Sequence, residues 1–185
     1  MIEDALLEAE DKMTKAVEVA KDNFAGIRTG RVNPGLFSKV TVDYYGAPTP
    51  LQQLASFQTP EARVMLITPF DKGAMSDIEK ALRESDLGAN PSNDGNVIRI
   101  TMPELTAERR KEYIKLAQSQ GEEAKVSVRH VRRHAKDQLE KLVKDGEVGE
   151  DDGTRGEKEL DALTKKYVET VDSLLKAKEA ELSEV

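Results

Sequence analysis

The chain has 185 residues, of which 34% are charged and 4% aromatic, and its formal net charge is −7. It contains no cysteine, which excludes disulfides, thiolate catalysis and cysteine-ligated metal sites. Its acidic N-terminal segment and its lack of an apolar run of about 18 to 20 residues argue against a secretory signal and a membrane-spanning helix. We therefore expect a cytoplasmic protein without a membrane partner.

The first predicted element is an N-terminal helix. Apolar residues recur in steps of three and four, as in a helix that packs on other helices. They are Ile2, Leu6, Ala9, Met13, Ala16, Ala20 and Ile27. Glu3, Asp4 and Glu8 lie in the first turns, where the helix dipole favours acidic residues. Gly30 is the predicted end of this helix.

A β-rich segment follows between Arg31 and Pro103, and it contains all seven prolines. The stretches KVTVDYY, LASFQ and RVMLITPF predict strands, and MSDIEKALRES, which begins at Met75, predicts one short helix. Asp94-Gly95, just ahead of Val97–Ile100, indicates a hairpin. We predict a small β/α/β domain over residues 31–103.

A very long helix is predicted after Pro103. Thr106 is its predicted N-cap, and the helix extends to about Asp145, a length of about 60 Å at 1.5 Å per residue. Gly146 and Gly149 end it. The predicted apolar seam consists of Ile114, Ala117, Ala124, Val128, Val131, Ala135 and Leu142.

A third helix is predicted from Glu150 onward, because Glu150, Asp151 and Asp152 suit a helix N-terminus. Gly153 and Gly156 leave its start open. Its apolar face consists of Leu160, Leu163, Tyr167, Val171, Leu174 and Leu182.

These elements predict an α+β fold. Three amphipathic helices of these lengths bury one another's apolar faces as an elongated bundle, formed by residues 1–30 and 104–185. The β/α/β domain of residues 31–103 is inserted into this bundle. Two adjacent chain crossings join the parts, and such a two-strand hinge permits one body to rotate on the other.

Basic residues are concentrated in the second predicted helix. From Ala107 to Lys136 there are nine basic residues against four acids, whereas Asp137 to Val185 has eight basic and fifteen acidic residues. At 100° per residue, five cations project onto one arc of roughly 100°, which flanks the apolar seam and is expected to face solvent. This basic ridge consists of Lys125, Arg129, Arg132, Arg133 and Lys136.

Several hypotheses account for the basic ridge, and the simplest is a solvated helix face. However, Lys125 to Lys136 contains no acid for local pairing, so a bound polyanion would relieve the repulsion between like charges. Arginine also suits phosphate oxygens. Without exposed aromatics for stacking, contact with the backbone and shape of structured RNA or DNA is favoured. The rivals are pairing with the acidic third helix and a helical adaptor that binds an acidic protein.

No catalytic, metal or nucleotide site is predicted. His130 and His134 have the spacing of paired zinc ligands, but HVRRH lacks the general-base glutamate. Asp71 has no catalytic partner nearby in the sequence, and we interpret it as a turn residue. We therefore expect a protein that is not an enzyme and binds no cofactor itself.

Four stretches together resemble the ribosome recycling factor family, and the resemblance covers nearly the whole chain. They are IRTGRVNP, VDYYGAPTPLQQLAS, SDLGANPSNDGNVIRITMPELTAERRKEY and VRHVRRHAKD. The resemblance implies an L-shaped protein of tRNA-like size that works with elongation factor G and GTP to split post-termination ribosomes. The implied partners are the ribosome and elongation factor G, which uses the GTP. We expect a monomer that does not bind DNA.

The resemblance also implies roles for individual residues. It puts large-subunit ribosomal RNA against Arg28 and Arg31 in IRTGR and against the arginines of VRHVRR, and we add Lys125 and Lys136 from the ridge. The arginines of VRHVRR are Arg129, Arg132 and Arg133. The implied hinge positions are Gly30, Arg31, Met102, Pro103, Glu104 and Leu105. The chain differs from the common family pattern at Lys125, His130, His134 and Lys136. The loss of an acid at His134 and the gain of Lys136 make the ridge more basic.

Overall fold

A computed structural model describes residues 1–88 and 90–184, and it has the predicted α+β fold. In chain order the helices are α1 (Ile2–Ala25), α2 (Met75–Glu84), α3 (Ala107–Lys144) and α4 (Glu150–Ser183). The strands are β1 (Thr41–Tyr44), β2 (Ala47–Pro50), β3 (Ala55–Glu61), β4 (Val64–Pro69), β5 (Pro91–Asn93) and β6 (Ile98–Thr101).

The chain forms two compact units. The helical unit contains Met1–Phe24 and Lys115–Glu179, and the β unit contains Ala25–Ile114 with the end of α4 from Ala180. No helix within residues 1–88 and 90–184 has both the length and the apolar character needed to cross a membrane.

The helical unit is a three-helix bundle, as predicted. Side chains from α1, α3 and α4 share one apolar core, and burying each large side chain contributes about 1.5 to 3 kcal/mol. The core residues are Ala5, Leu6, Ala9 and Met13 from α1, Val128, Ala135 and Leu139 from α3, and Leu160 from α4. The predicted seam of α3 omitted Leu139, which is 1% exposed.

The predicted end of α1 was wrong. The helix ends at Ala25 rather than at Gly30, and Gly26 follows directly as a turn residue. The apolar period misled the prediction because Ile27 is buried although it lies in the bend beyond the helix.

The boundaries of α3 agree with the prediction. The Thr106 hydroxyl accepts a hydrogen bond from the backbone N–H of Arg109 at 3.1 Å, which is an N-cap contact. Beyond the last turn, Gly146 has φ +73° and its N–H donates to the carbonyl of Val143. Because L residues with a side chain rarely adopt this left-handed conformation, glycine favours the end of the helix at this point.

Gly153 and Gly156 lie inside α4, which resolves the start that the sequence left open. A Cβ atom on Gly153 would lie 2.5 Å from Cγ2 of Val143, and one on Gly156 would lie 3.0 Å from Cγ2 of Ile2. The two glycines therefore do not break α4. They allow it to approach α3 and α1 closely.

The β unit contains two antiparallel sheets. One is the hairpin β1-β2, and the other has the order β3-β4-β6-β5. Helix α2 packs Ile78 and Leu82 into a core that also contains Ile67, Ile98 and Phe37. Asn93 pairs with Ile98, and the N–H of Asp94 donates to the carbonyl of Val97, so the hairpin predicted at Asp94-Gly95 is confirmed.

The two chain crossings attach to one turn of the β unit. The N–H of Val32 donates to the carbonyl of Ala62 at 2.7 Å, and the N–H of Met102 donates to the carbonyl of Arg63 at 2.8 Å. Val32 and Met102 are both buried in the core of the β unit. The incoming and outgoing chains are thus held side by side at the turn between β3 and β4.

Candidate nucleic-acid interface

The basic ridge contains two exposed arginines on the rigid helix α3. The helical period places Val128 and Ala135 in the bundle core, which leaves Arg129 and Arg133 exposed on the outside. Neither guanidinium forms an ion pair with a carboxylate in the part of the chain that the structure describes; the ridge ion pairs belong to the other three cations. Both groups can therefore meet an external anion without first losing an internal partner.

Arg132 is engaged with α4. Its Nε donates to Oδ1 of Asp161 at 2.8 Å, and the two side chains are 35% and 57% exposed. A pair with this much solvent contact contributes about 0.2 to 1 kcal/mol, because water screens it. The bond orients Arg132 but holds it only weakly.

Lys125 does not face solvent as predicted. Its Nζ lies 2.9 Å from Oε1 of Glu122 and 2.9 Å from Oδ1 of Asp172, and its side chain is 14% exposed. Hydrogen bonds to Glu122 and then to Asp172 raise the pKa of Lys125. The ammonium lies between Glu122 of α3 and Asp172 of α4. The angular projection of a single helix does not include the contact with α4.

Lys136, at the end of the ridge, has a weaker internal partner, with Nζ 3.9 Å from Oε1 of Glu140. Pairing with the acidic third helix, one of the rival hypotheses for the ridge, therefore describes Lys125 and Arg132. It does not describe Arg129 and Arg133.

The two arginines of IRTGR have different environments. Arg31 is exposed, whereas Arg28 is partly buried. Its Nε and Nη2 atoms are covered and have no hydrogen-bond partner among the residues described. Burial lowers the pKa of Arg28, the nearby Tyr113 opposes this shift, and Arg63 adds to it. In this conformation Arg31 can reach an external phosphate more readily than Arg28.

The predicted hinge residues also differ among themselves. Met102 is 1% exposed in the core of the β unit, whereas Pro103 and Glu104 are exposed and Leu105 is partly buried. On the other crossing, Gly30 has open space where a side chain would lie. The segments 26–33 and 102–106 contain neither helix nor strand.

A short hydrogen-bonded turn shapes the chain around Gly30. The buried Thr29 hydroxyl donates to the carbonyl of Arg31 at 3.0 Å and accepts from the N–H of Arg31 at 3.2 Å.

Asp71 is a turn residue, as predicted. Its Oδ1 accepts from the N–H of Gly73 at 2.8 Å, which caps a short 3-10 turn. Its Oδ2 accepts from the hydroxyls of Tyr44 at 2.9 Å and Tyr45 at 3.3 Å. The hydrogen bond from Gly73, followed by that from Tyr44, lowers the pKa of Asp71. Sequence reasoning missed the two tyrosines, although the Tyr45-Gly46 pair at a hairpin tip could have drawn attention to them.

His130 and His134 are exposed on α3. Over residues 1–88 and 90–184, no group of three or more His, Asp or Glu side chains gathers in an arrangement that could hold a metal ion.

Comparison with known proteins gives consistent matches. A family model described as "Ribosome recycling factor" matches residues 20–182. The ribosome-recycling factor of Arthrobacter sp. (strain FB24) is 71% identical over 185 residues, which is 100% of both chains. That of Streptomyces coelicolor (strain ATCC BAA-471 / A3(2) / M145) is 66% identical over the same full lengths.

Solved structures are similar as well. A solution structure of the ribosome recycling factor has a TM-score of 0.80 and 43% identity, covering 100% of this chain and 98% of that chain. A second structure has a TM-score of 0.72 and 40% identity, with 98% of each chain covered. It describes the T. thermophilus ribosome recycling factor and the E. coli elongation factor G bound to the E. coli post-termination complex.

Proposed function

The chain belongs to the ribosome recycling factor family, and on that premise we propose that it disassembles the post-termination ribosome together with elongation factor G and GTP. Release from messenger RNA makes the ribosome available for reuse. The structural neighbour described with elongation factor G on a post-termination complex supports this assignment of partners. In this proposal the protein acts in the cytoplasm as a monomer and breaks no bond itself, and the elongation factor uses the GTP.

The proposed contact with large-subunit ribosomal RNA centres on Arg129 and Arg133. The observation that carries it is a pair of exposed guanidinium groups on helix α3 that have no carboxylate partner among the described residues, in a protein whose net charge is −7. Phosphate oxygens suit the forked guanidinium geometry. Because residues 125–136 contain no Phe, Tyr or Trp, the contact reads RNA backbone and shape rather than base sequence.

The remaining predicted RNA-binding cations differ in how freely their side chains can contact RNA. Arg31 is exposed and is a proposed RNA contact of the β unit. Arg132 and Lys136 join the ridge contact by loosening their internal pairs. Lys125 and Arg28 are predicted contacts that require rearrangement, because Lys125 is held by two carboxylates and Arg28 is partly covered.

We further propose that the predicted domains move about a hinge. Domain I comprises residues 1–30 and 104–185, and domain II comprises residues 31–103. Helix α3 runs unbroken from Ala107, so bending is easier in the irregular crossings at Gly30–Arg31 and Met102–Leu105. Val32 and Met102 each donate a backbone hydrogen bond to the turn between β3 and β4, so each crossing is attached to the β unit at that turn. Elongation factor G would act on domain II.

Energy transfer between dyes on the two domains tests the hinge. The expected result is a distribution of distances that shifts when the protein binds the ribosome. One fixed distance under all conditions would contradict the proposal.

A light-scattering assay of ribosome splitting tests the function itself. Purified protein, elongation factor G and GTP are each omitted in turn, and the loss of scattering is expected only when all three are present. Ribonuclease-resistant capture of an acidic protein, in place of comigration with the large subunit, would favour the adaptor hypothesis instead.

Binding to purified large subunits over a salt series tests the interface. Arg129→Ala and Arg133→Ala are each expected to weaken binding and to reduce the slope of log affinity against log salt by about 0.7 to 0.9 per phosphate contact. The matched control is Arg155→Ala, which removes an exposed arginine of α4 that pairs with Asp152. Equal affinities for the three variants at every salt concentration would refute the assignment of the two ridge arginines.

A further inference from the structure

Two large aromatic side chains stand out on the surface of the β unit. Tyr45 is 84% exposed and Phe70 is 71% exposed, the highest values among the exposed large apolar residues that the structure describes. The Tyr45 hydroxyl donates to Oδ2 of Asp71, and Phe70 is the residue before Asp71 in the chain. We call Tyr45, Phe70 and Asp71 the aromatic patch.

Folding alone does not favour a tyrosine at position 45. Tyr45 has φ +48° and Gly46 has φ +81°, and they form the two-residue turn between the paired residues Tyr44 and Ala47. This turn, with two successive positive φ angles, is best served by Asn-Gly or Asp-Gly, whereas a bulky residue is disfavoured there. A strained residue that is also exposed is a reason to look for a function.

The ring of Tyr45 is held in place rather than free. Tyr44 packs against it at 4.6 Å between ring centroids with an interplanar angle of 76°. Tyr44 also donates its own hydroxyl to Asp71, so both phenols are tied to one carboxylate. Preorganisation of this kind reduces the entropy that a binding surface loses when a partner docks.

The chemistry of the patch favours a cation. The face of a tyrosine ring attracts an ammonium or guanidinium group placed within about 6 Å of its centroid. A phenol that donates its proton to a carboxylate has a more electron-rich ring, and Asp71 is kept ionised by the N–H of Gly73 and the hydroxyl of Tyr44. The same carboxylate repels phosphate groups. Lys72, the next residue in the chain, is exposed, and its positive charge opposes an incoming cation. The attraction for a cation is therefore limited to the Tyr45 ring and the Asp71 carboxylate.

We propose that the aromatic patch is the surface on which a partner protein docks an arginine- or lysine-bearing segment, with the cation over Tyr45 and apolar side chains against Phe70. This inference rests on the proposed function, in which elongation factor G acts on domain II, and it names the residues that receive that protein. The patch is separate in sequence from the ridge arginines that are proposed to contact RNA.

Elongation factor G is the probe for the test. Elongation factor G is titrated into the ribosome-splitting assay, which contains a saturating concentration of wild-type protein, of the Tyr45→Asn variant or of the Phe70→Ser variant. The half-saturating concentration of elongation factor G is expected to rise about five- to thirty-fold for Tyr45→Asn, as the loss of a desolvated cation–π contact implies. Tyr45→Phe keeps the ring and is expected to show a smaller rise. The matched control is Leu7→Gln, at an exposed apolar residue of the helical unit, and it is expected to behave as wild type.

Two further measurements separate docking from folding and from RNA contact. Tyr45→Asn is expected to unfold at the same or a higher temperature than wild type, since asparagine suits the turn. Its affinity for large subunits is expected to match wild type over the whole salt series.

The outcomes distinguish this inference from the proposed function. If wild type splits ribosomes and both patch variants respond to elongation factor G as wild type does, the patch is refuted and the function stands. Weaker binding of the variants to large subunits with a reduced salt slope would overturn the protein partner in favour of RNA. A wild-type protein that does not split ribosomes would refute the proposed function, and the partner named here with it.

Discussion

The ion pair between Arg132 and Asp161 leads to a prediction about competition. Nε of Arg132 lies 2.8 Å from Oδ1 of Asp161, and both side chains are partly exposed. If Arg132 contacts a ribosomal phosphate, this internal pair must weaken as the complex forms. Asp161→Asn preserves the size of the side chain and an acceptor oxygen but removes the charge, so it removes most of the competition.

The size of the effect follows from the exposure of the pair. An ion pair this well solvated contributes about 0.2 to 1 kcal/mol, which corresponds to an increase of about 1.4- to 5-fold in affinity for the large subunit. The loss of a negative charge beside the phosphates acts in the same direction, and added salt reduces both contributions. Because the pair is partly exposed, we expect a change in folding stability of at most about 1 kcal/mol.

The assay is equilibrium binding to purified large subunits at several salt concentrations. Glu159→Gln is the matched control, because it removes one carboxylate from the same helix at a residue that lines the groove between α1 and α4. The difference between the two variants isolates the pair from the general change in net charge. A second Asp161→Asn variant carries Arg132→Ala as well, and in it the gain from Asp161→Asn is expected to fall to that of Glu159→Gln, because only the net-charge contribution remains.

Two results would refute this reasoning. Asp161→Asn could bind no more tightly than Glu159→Gln, which would show that the internal pair does not compete with RNA. Alternatively, the gain could survive Arg132→Ala, which would show that it arises from net charge alone. In either case Arg132 would be a residue that holds α3 against α4, and the interface would be left to Arg129 and Arg133.

Three further predictions concern folding and pH. Gly153→Val is expected to destabilise the protein by about 1 to 3 kcal/mol in urea unfolding, because a Cβ there would meet Val143; full stability would contradict this close helix contact, and Val143→Ala in the same chain should recover part of the loss. Thr106→Ala removes the N-cap of α3 and is expected to lower the free energy of unfolding by about 1 kcal/mol; no loss would mean that the cap is unimportant. The folded state lowers the pKa of Asp71 below its ordinary value of 3.8. The Asp71 carboxylate therefore contributes fully to stability above pH 3.8, and this contribution is lost as the pH falls through the folded pKa. The stability difference between wild type and Asp71→Asn should shrink in acid, and a difference independent of pH would contradict the lowered pKa.

The helices and the ridge were predictable because their signals are local. A buried face recurs every three to four residues, so Val128 and Ala135 identify the seam of α3 without knowledge of its neighbours. The same angular projection predicts that Arg129 and Arg133 are exposed, and the structure confirms it. Thr106 could be recognised as an N-cap because capping involves only the next turn of the same helix.

Other features depend on which element lies alongside, and no local pattern contains that information. The end of α1 was misplaced because a buried residue such as Ile27 has the same sequence signal whether it lies in a helix or in the bend after it. Gly153 left the start of α4 open in the sequence, yet it is the residue that allows α4 to approach Val143.

The amino-acid sequence by itself determined three amphipathic helices, an inserted β-rich segment and a stripe of cations, since each is a pattern of neighbouring residues. Only the tertiary structure decided which cations are occupied, because Lys125 and Arg132 meet Asp172 and Asp161 from a helix far away in the sequence. Charge pairing depends on distances of a few ångströms between side chains. Those distances are set by how the helices pack.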